Sequence, residues 1–278
     1  MIVASQLRAA LAPDVRPWPV RVAWAALAVL VVVAVVAPLG GYDPVADVVP
    51  AQASLPPGAG RWLGTDHLGR DTAWRLAWAT RAFVAPGLLC ALVTIGVGVP
   101  LGALAGGSGD VVAGVVRWVT SVISAVPSIV LALLAAAIFG ADTWILAVAL
   151  GVAGAPGVAE AVAGRLADAR ATEYVLAMRG HGVGGARLLW IHLVLGLGGR
   201  AIARAALLAF GSFLAIEATL SYLGGFGVRE PWPSWGNMLA FEWGRTGLVP
   251  TVAPALALWG ALVAVHAAAD AFAEPVDG

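Results

Sequence analysis

The chain alternates long uncharged stretches with short segments that hold nearly all its charge. Val22–Tyr42, Ala82–Gly109, Trp118–Ala141 and Thr246–Ala269 are uncharged over 21, 28, 24 and 24 residues. Thr143–Ala159 adds 17 residues and extends past Glu160 to about Ala163. A further stretch between Arg204 and Arg229 is broken only by Glu217. A helix crosses a bilayer with about 20 apolar residues at 1.5 Å rise each, so the pattern predicts six transmembrane helices. The first has the position of a secretory signal peptide. Its apolar core is long for one and further spans follow, so it reads as an uncleaved helix.

The connecting segments carry the remaining signals. Asp43–Arg81 is a polar loop with no strong periodicity, in which Thr65 or Asp66 is expected to start a turn or helix leading into the second span. Asp66, His67 and Asp71 sit there without metal-ligand spacing, so no metal is expected. The short link Gly140-Ala141-Asp142 makes the third and fourth spans antiparallel neighbours. Thr172–Leu195 is different. The apolar run after Arg187 reaches only to Gly199 before Arg200, which is too short to cross a membrane. Thr172 and Glu173 suit a helix start, Gly180, Gly182, Gly184 and Gly185 suit a turn, and a second short helix begins near Ala186. That helix places Leu188, Leu189, Ile191, Leu193 and Leu195 beside Arg187 and His192, a surface built to be held by something outside the bilayer.

Topology follows from the arginines. Ten lie before the first span, between the second and third, and between the fourth and fifth, against six on the other face. Positive-inside bias then puts both termini and the Thr172–Leu195 segment in the cytoplasm, N-in and C-in.

Composition agrees: 60% of residues are hydrophobic, 12% are charged and the mean hydropathy is +0.90. Soluble domains carry about 25% charge, so this is an integral membrane protein. The formal net charge is zero, which gives no argument for nucleic-acid binding. Cys90 is the single cysteine, so no intrachain disulfide forms. All sixteen basic residues are arginine, which excludes a P-loop, a Schiff-base lysine and a lysine general base. His67, His181, His192 and His266 are scattered without an HExxH or serine–histidine pairing, so the chain is not read as an enzyme.

Within the spans, Gly98, Gly102 and Gly106 form a doubled GxxxG face for close helix packing, and Pro100 implies a kink. Glu217 lies thirteen residues from Arg204, roughly 20 Å along a helix, and so near mid-membrane. A carboxylate there costs about 2.5–3.5 kcal/mol, so it faces protein or a watery path, as a gate or as a hydrogen bond between helices. Trp232, Trp235 and Trp243 suit the headgroup level. An ion-coupled secondary transporter or channel is the alternative reading, but it normally places several ionisable groups inside its spans.

At these residues the chain resembles a known family, the C-type permease subunits of ABC importers for dipeptides, oligopeptides and nickel. Gly64-Thr65-Asp66 with Leu68-Gly69-Arg70-Asp71 is similar to GTDxLGRD, and Gly98-Val99-Pro100-Leu101-Gly102 to IGVPLG. Glu217-Ala218, Leu220-Ser221 and Leu223-Gly224 resemble EAxLSFLG. Pro233 to Leu239 resembles PSWGNML, including external-loop residues Ser234, Trp235, Gly236 and Asn237, and Asp270 matches a C-terminal aspartate. Glu173, Ala177, Arg179, Gly182, Arg187 and His192 resemble the EAA loop that couples such permeases to their ATPases. Leu176, Met178 and Leu195 depart from it.

The resemblance implies an all-α, type I ABC importer permease (MetI-like) fold in the bacterial cytoplasmic (inner) membrane. Residues 1–60 form the N-terminal tail, first helix and external loop. Residues 61–278 form a five-helix core with its cytoplasmic coupling loop at about 165–200. The implied partners are a second permease subunit, an external substrate-binding protein and two ATPases that hold ATP and Mg; this chain itself binds no cofactor. Glu217 and Ser221 are then candidates for the translocation path or gate.

Overall fold

A computed structural model describes residues 18–170, 175, 178, 181 and 199–273. The coupling residues Glu173, Ala177, Arg179, Gly182, Arg187 and His192 lie outside the described residues, as does most of the short-helix pair expected between Thr172 and Leu195.

The described residues are helical with no strand. Helix α1 spans Pro19–Val36 with proline in its first turn, where a missing N–H costs nothing. It passes into a 3₁₀ turn that Gly41 ends at φ 70°. Helix α2 (Thr72–Ala79) leads into α3 (Arg81–Gly107), which runs through Pro86 and Pro100. Next come α4 (Asp110–Ser124), α5 (Ser128–Phe139) and α6 (Thr143–Arg170). Then α7 (Gly199–Tyr222), α8 (Trp235–Glu242) and α9 (Leu248–Asp270) complete the bundle.

Five of these units are long and apolar enough to cross a membrane, and the α4–α5 pair makes a sixth if it counts as one span. That pair corrects the expected third span. Trp118–Ala141 is not one helix: the chain bends by 79° between Ser124 and Ser128. Pro127 is the cause, because it disfavours helical geometry at Val126 and itself sits at ψ 135°.

Two further boundaries move. α6 continues to Arg170, so Arg165 and Asp168 extend the helix rather than opening the loop expected from about 165. α7, described from Gly199, ends at Tyr222, which leaves Glu217 five residues from that end, about 7.5 Å, and not at mid-span.

The tightest helix pairing is between α3 and α6, and the glycines explain it. A Cβ on Gly98 would lie 2.6 Å from the Ala155 carbonyl oxygen, and one on Gly102 2.6 Å from that of Ala159. A Cβ on Gly106 would lie 2.7 Å from Leu166. Small residues at four-residue spacing thus bring two backbones together, which matters because lipid offers no hydrophobic drive to helix association. α7 packs on both α3 and α9, and α1 packs on α9. Apolar side chains such as Val29, Val32, Leu134 and Ile138 point outward, as a lipid-facing surface requires.

Val175 is buried in one apolar cluster with Ala103, Val158, Val162 and Leu166, with Ile202 packed at its edge.

Gly102→Ala should destabilise the protein by about 1–3 kcal/mol, the usual range for overpacking. Gly96→Ala, with open space around its Cβ, should be neutral or stabilising. Denaturation in detergent reads both, and equal effects would count against the α3–α6 contact.

Candidate functional site

Two regions carry the polar chemistry: a cap of buried charge at one end of the bundle, and a groove of small residues along it. The cap is built on Arg70 and Arg75, whose side chains are 0% and 1% exposed. Arg70 Nε donates to Asp66 Oδ2 at 2.6 Å and its Nη1 to Glu230 Oε2 at 3.1 Å. Arg75 Nη2 donates to Glu230 Oε1 at 2.7 Å and its Nη1 to the Pro44 carbonyl at 3.2 Å. Arg75 Nε lies 3.3 Å from Asp66 Oδ2, close enough for charge attraction but outside hydrogen-bonding geometry. Two cations and two carboxylates thus neutralise one another while joining segments some 160 residues apart.

Local chemistry positions each member. Asp66 starts a turn, its Oδ1 accepting the N–H groups of Leu68 and Arg70 at 2.9 and 2.8 Å. The following helix, however, is capped by Asp71, whose Oδ1 accepts from Ala73 and Trp74 at 2.8 and 3.1 Å. The Asp71 N–H in turn donates to Tyr42 Oη at 3.1 Å. Burial pushes the Tyr42 phenol up to about 12, so it stays protonated at ordinary pH.

Glu217, Ser221, Ser234, Trp235, Gly236 and Asn237 come together beside this cap. Ser221 Oγ donates to Glu217 Oε1 at 2.5 Å and accepts from the Val228 N–H at 3.1 Å. Ser234 and Asn237 form a reciprocal capping box on α8. Asn237 Nδ2 also donates to the Trp232 carbonyl at 2.8 Å, fixing the preceding loop. Trp235 Nε1 donates to the Leu76 carbonyl at 3.1 Å, and its ring lies 4.4 Å from that of Phe83. At Gly236 a Cβ would lie 2.0 Å from the Ala218 carbonyl oxygen, so α8 rests directly on the α7 backbone.

His67 is joined to this end by Nδ1 at 2.9 Å from Glu242 Oε1. Donor atoms of Asp66, His67 and Glu242 lie within 4.8 Å of one another. They do not fit a cation, because Asp66 is already given to Arg70 and the two guanidinium groups beside it oppose added positive charge.

The groove is a cavity of about 500 Å³ bounded by α3, α6 and α7. Its walls include Thr94, Gly154, Gly157, Ala161, Ala205 and Ser212. Glu217 and Ser221 are not among its lining residues; Ile216, on the neighbouring face of α7, is. Arg204 stands at the end towards the start of α7, 3.7 Å from Asp270.

The partners of Arg70, Arg75 and Glu230 were not identified by sequence reasoning. The GTDxLGRD-like stretch was the available signal, but nothing in it names a carboxylate so distant in the chain.

An apolar helical bundle with a small-residue groove and a charge-locked cap is the architecture of a multi-pass transport permease. The chain belongs to the family of binding-protein-dependent transport system inner membrane components, whose family model matches residues 98–277. It is thus an ABC importer permease component of the bacterial inner membrane. It is 31% identical over 221 residues to a dipeptide transport system permease of Bacillus subtilis, covering 78% of this chain and 68% of that one. It is 30% identical over 266 residues to the nickel transport system permease of Escherichia coli, covering 94% of both chains. A glutathione transport system permease of Pectobacterium atrosepticum is 29% identical over 223 residues, covering 80% of this chain and 73% of that one.

Arg70→Met should lower stability by about 3 kcal/mol, because it strands a buried carboxylate. Adding Asp66→Asn should cost less than the sum of the two single changes. Denaturation in detergent checks this; strict additivity would mean that the pair is not coupled.

Proposed function

We propose that this chain forms half of the translocation path of an ATP-driven importer for peptides or a similar small solute. The observation that carries the reading is connectivity. In the sequence the 172–195 segment follows α6, described as far as Arg170, and precedes α7, described from Gly199. Those two helices, with α3, wall the 500 Å³ groove. A displacement applied to the segment therefore acts on the groove without an intermediate element.

In this reading ATPase subunits, with ATP and Mg bound, grip the segment through Glu173, Ala177, Arg179, Gly182, Arg187 and His192. A second permease subunit, a homologue or another copy, completes the path, and an external binding protein delivers the solute. The arginine bias supports a cytoplasmic position for that grip, as six spans with both termini inside would give. Glu217 and Ser221 hold α7 to the loop at its outer end, so a gate there would move with α8. The relatives named for dipeptides, nickel and glutathione support a small polar cargo.

Reconstituted with its ATPases and binding protein, the complex should accumulate solute in liposomes only with ATP; uptake without ATP would overturn the reading. Deleting Gly182–Gly185, or Leu189→Asp, should cut uptake about tenfold or more while membrane insertion and ATP hydrolysis persist. Unchanged uptake would remove the segment from the coupling role.

A further inference from the structure

Beyond the groove, towards the charged cap, the end of α2, the starts of α3 and α6 and the loop after α7 border a second cavity of about 740 Å³. Its lining includes Trp78, Arg81, Asp142, Arg229, Glu230 and Trp232. Arg81 begins α3, while Cys90 and Thr94 on that helix line the groove, nine and thirteen residues further on. The two cavities are therefore successive stations along one wall, roughly 14–20 Å apart.

The charges in this cavity do not cancel. Both carboxylate oxygens of Glu230 are taken by Arg70 and Arg75. Asp142 Oδ1 accepts the Trp144 N–H at 2.7 Å, and its carboxylate is the single acid left in the lining. Arg81 and Arg229 are both exposed, and among the described residues neither has an ion-pair partner. The Arg81 guanidinium sits 5.4 Å over the Trp78 ring, a stacking contact that fixes its place while leaving its edge donors open. Trp78 and Trp232 lie 6.3 Å apart, tilted by 43°, and Trp78 Nε1 has no hydrogen-bond partner. Two unpaired guanidinium groups beside two indole faces match a carboxylate attached to an apolar or aromatic body.

We propose that this cavity is a selectivity site that binds a carboxylate-bearing small solute through Arg81 and Arg229 before it enters the groove. The proposal rests on the importer reading for its place at the outer mouth. The volume falls within the range of about 300–1,000 Å³ usual for small-molecule sites. A docked protein surface would need about 800 Å² of contact per partner, more than a cavity of this size presents.

The test is equilibrium dialysis of the full-length chain in phosphatidylcholine nanodiscs against N-acetylphenylalanine and its uncharged amide. The carboxylate should bind saturably and about tenfold tighter than the amide, as a charge-assisted pair requires. Arg81→Gln and Arg229→Gln should each remove most of that preference while leaving the unfolding midpoint unchanged. Equal binding of the two probes, no saturable binding, or an undiminished preference in both variants would overturn the proposal. So would loss of carboxylate binding in phosphatidylglycerol nanodiscs, which would assign the cavity to a lipid phosphate. Variants that weaken docking of the binding protein with probe affinity intact would assign it to protein contact instead. The assay contains no ATPase, so ATP-independent uptake would sink the importer reading without altering this result, and the reverse also holds.

Discussion

The mutual neutralisation of Asp66, Arg70, Arg75 and Glu230 is the constraint on which the rest of this molecule depends. Burying any one of these charges alone would cost several kcal/mol, so each is tolerable only with the others in place. Their partnership ties the loop before α2 to the loop before α8. Once those loops are fixed, Trp235 reaches the Leu76 carbonyl and Gly236 settles on the backbone of α7. The charged cap thus sets where α3, α7 and α8 begin or end relative to one another.

Along the bundle the governing physics changes. Lipid gives apolar helices little reason to associate, so α3 and α6 are held by close backbone approach at Gly98, Gly102 and Gly106. Small side chains on the other face of α6 leave the groove open where bulky ones would fill it. One composition therefore serves both ends, tight packing on one face and free volume on the other.

The spans were legible because a bilayer imposes a length on apolar sequence, and the windows of 21 to 28 residues met it. Their ends were less so. Hydropathy does not register that α6 continues as a helix through Arg165 and Asp168. The break at Pro127 was hidden by an uncharged window, although the proline itself was visible. The glycine face was readable from its spacing, but not the partner helix, since helix pairing is a tertiary fact. The ion-pair cluster could not be read at all: Asp66 and Arg70 are neighbours, but Glu230 is 160 residues from Arg70. The residues proposed to meet the ATPase rest on sequence resemblance, outside the described residues.

The capped end has a mechanical consequence. Ion pairs join the loop before α2 and α2 itself to the loop before α8, and Trp235 and Gly236 seat α8 on α2 and α7, so the described residues at that end are held as one block. An opening on that side would then move the block as a whole, while the far end of α7 is tied differently, by Arg200 donating to the Ala271 and Ala273 carbonyls and by the Arg204–Asp270 pair.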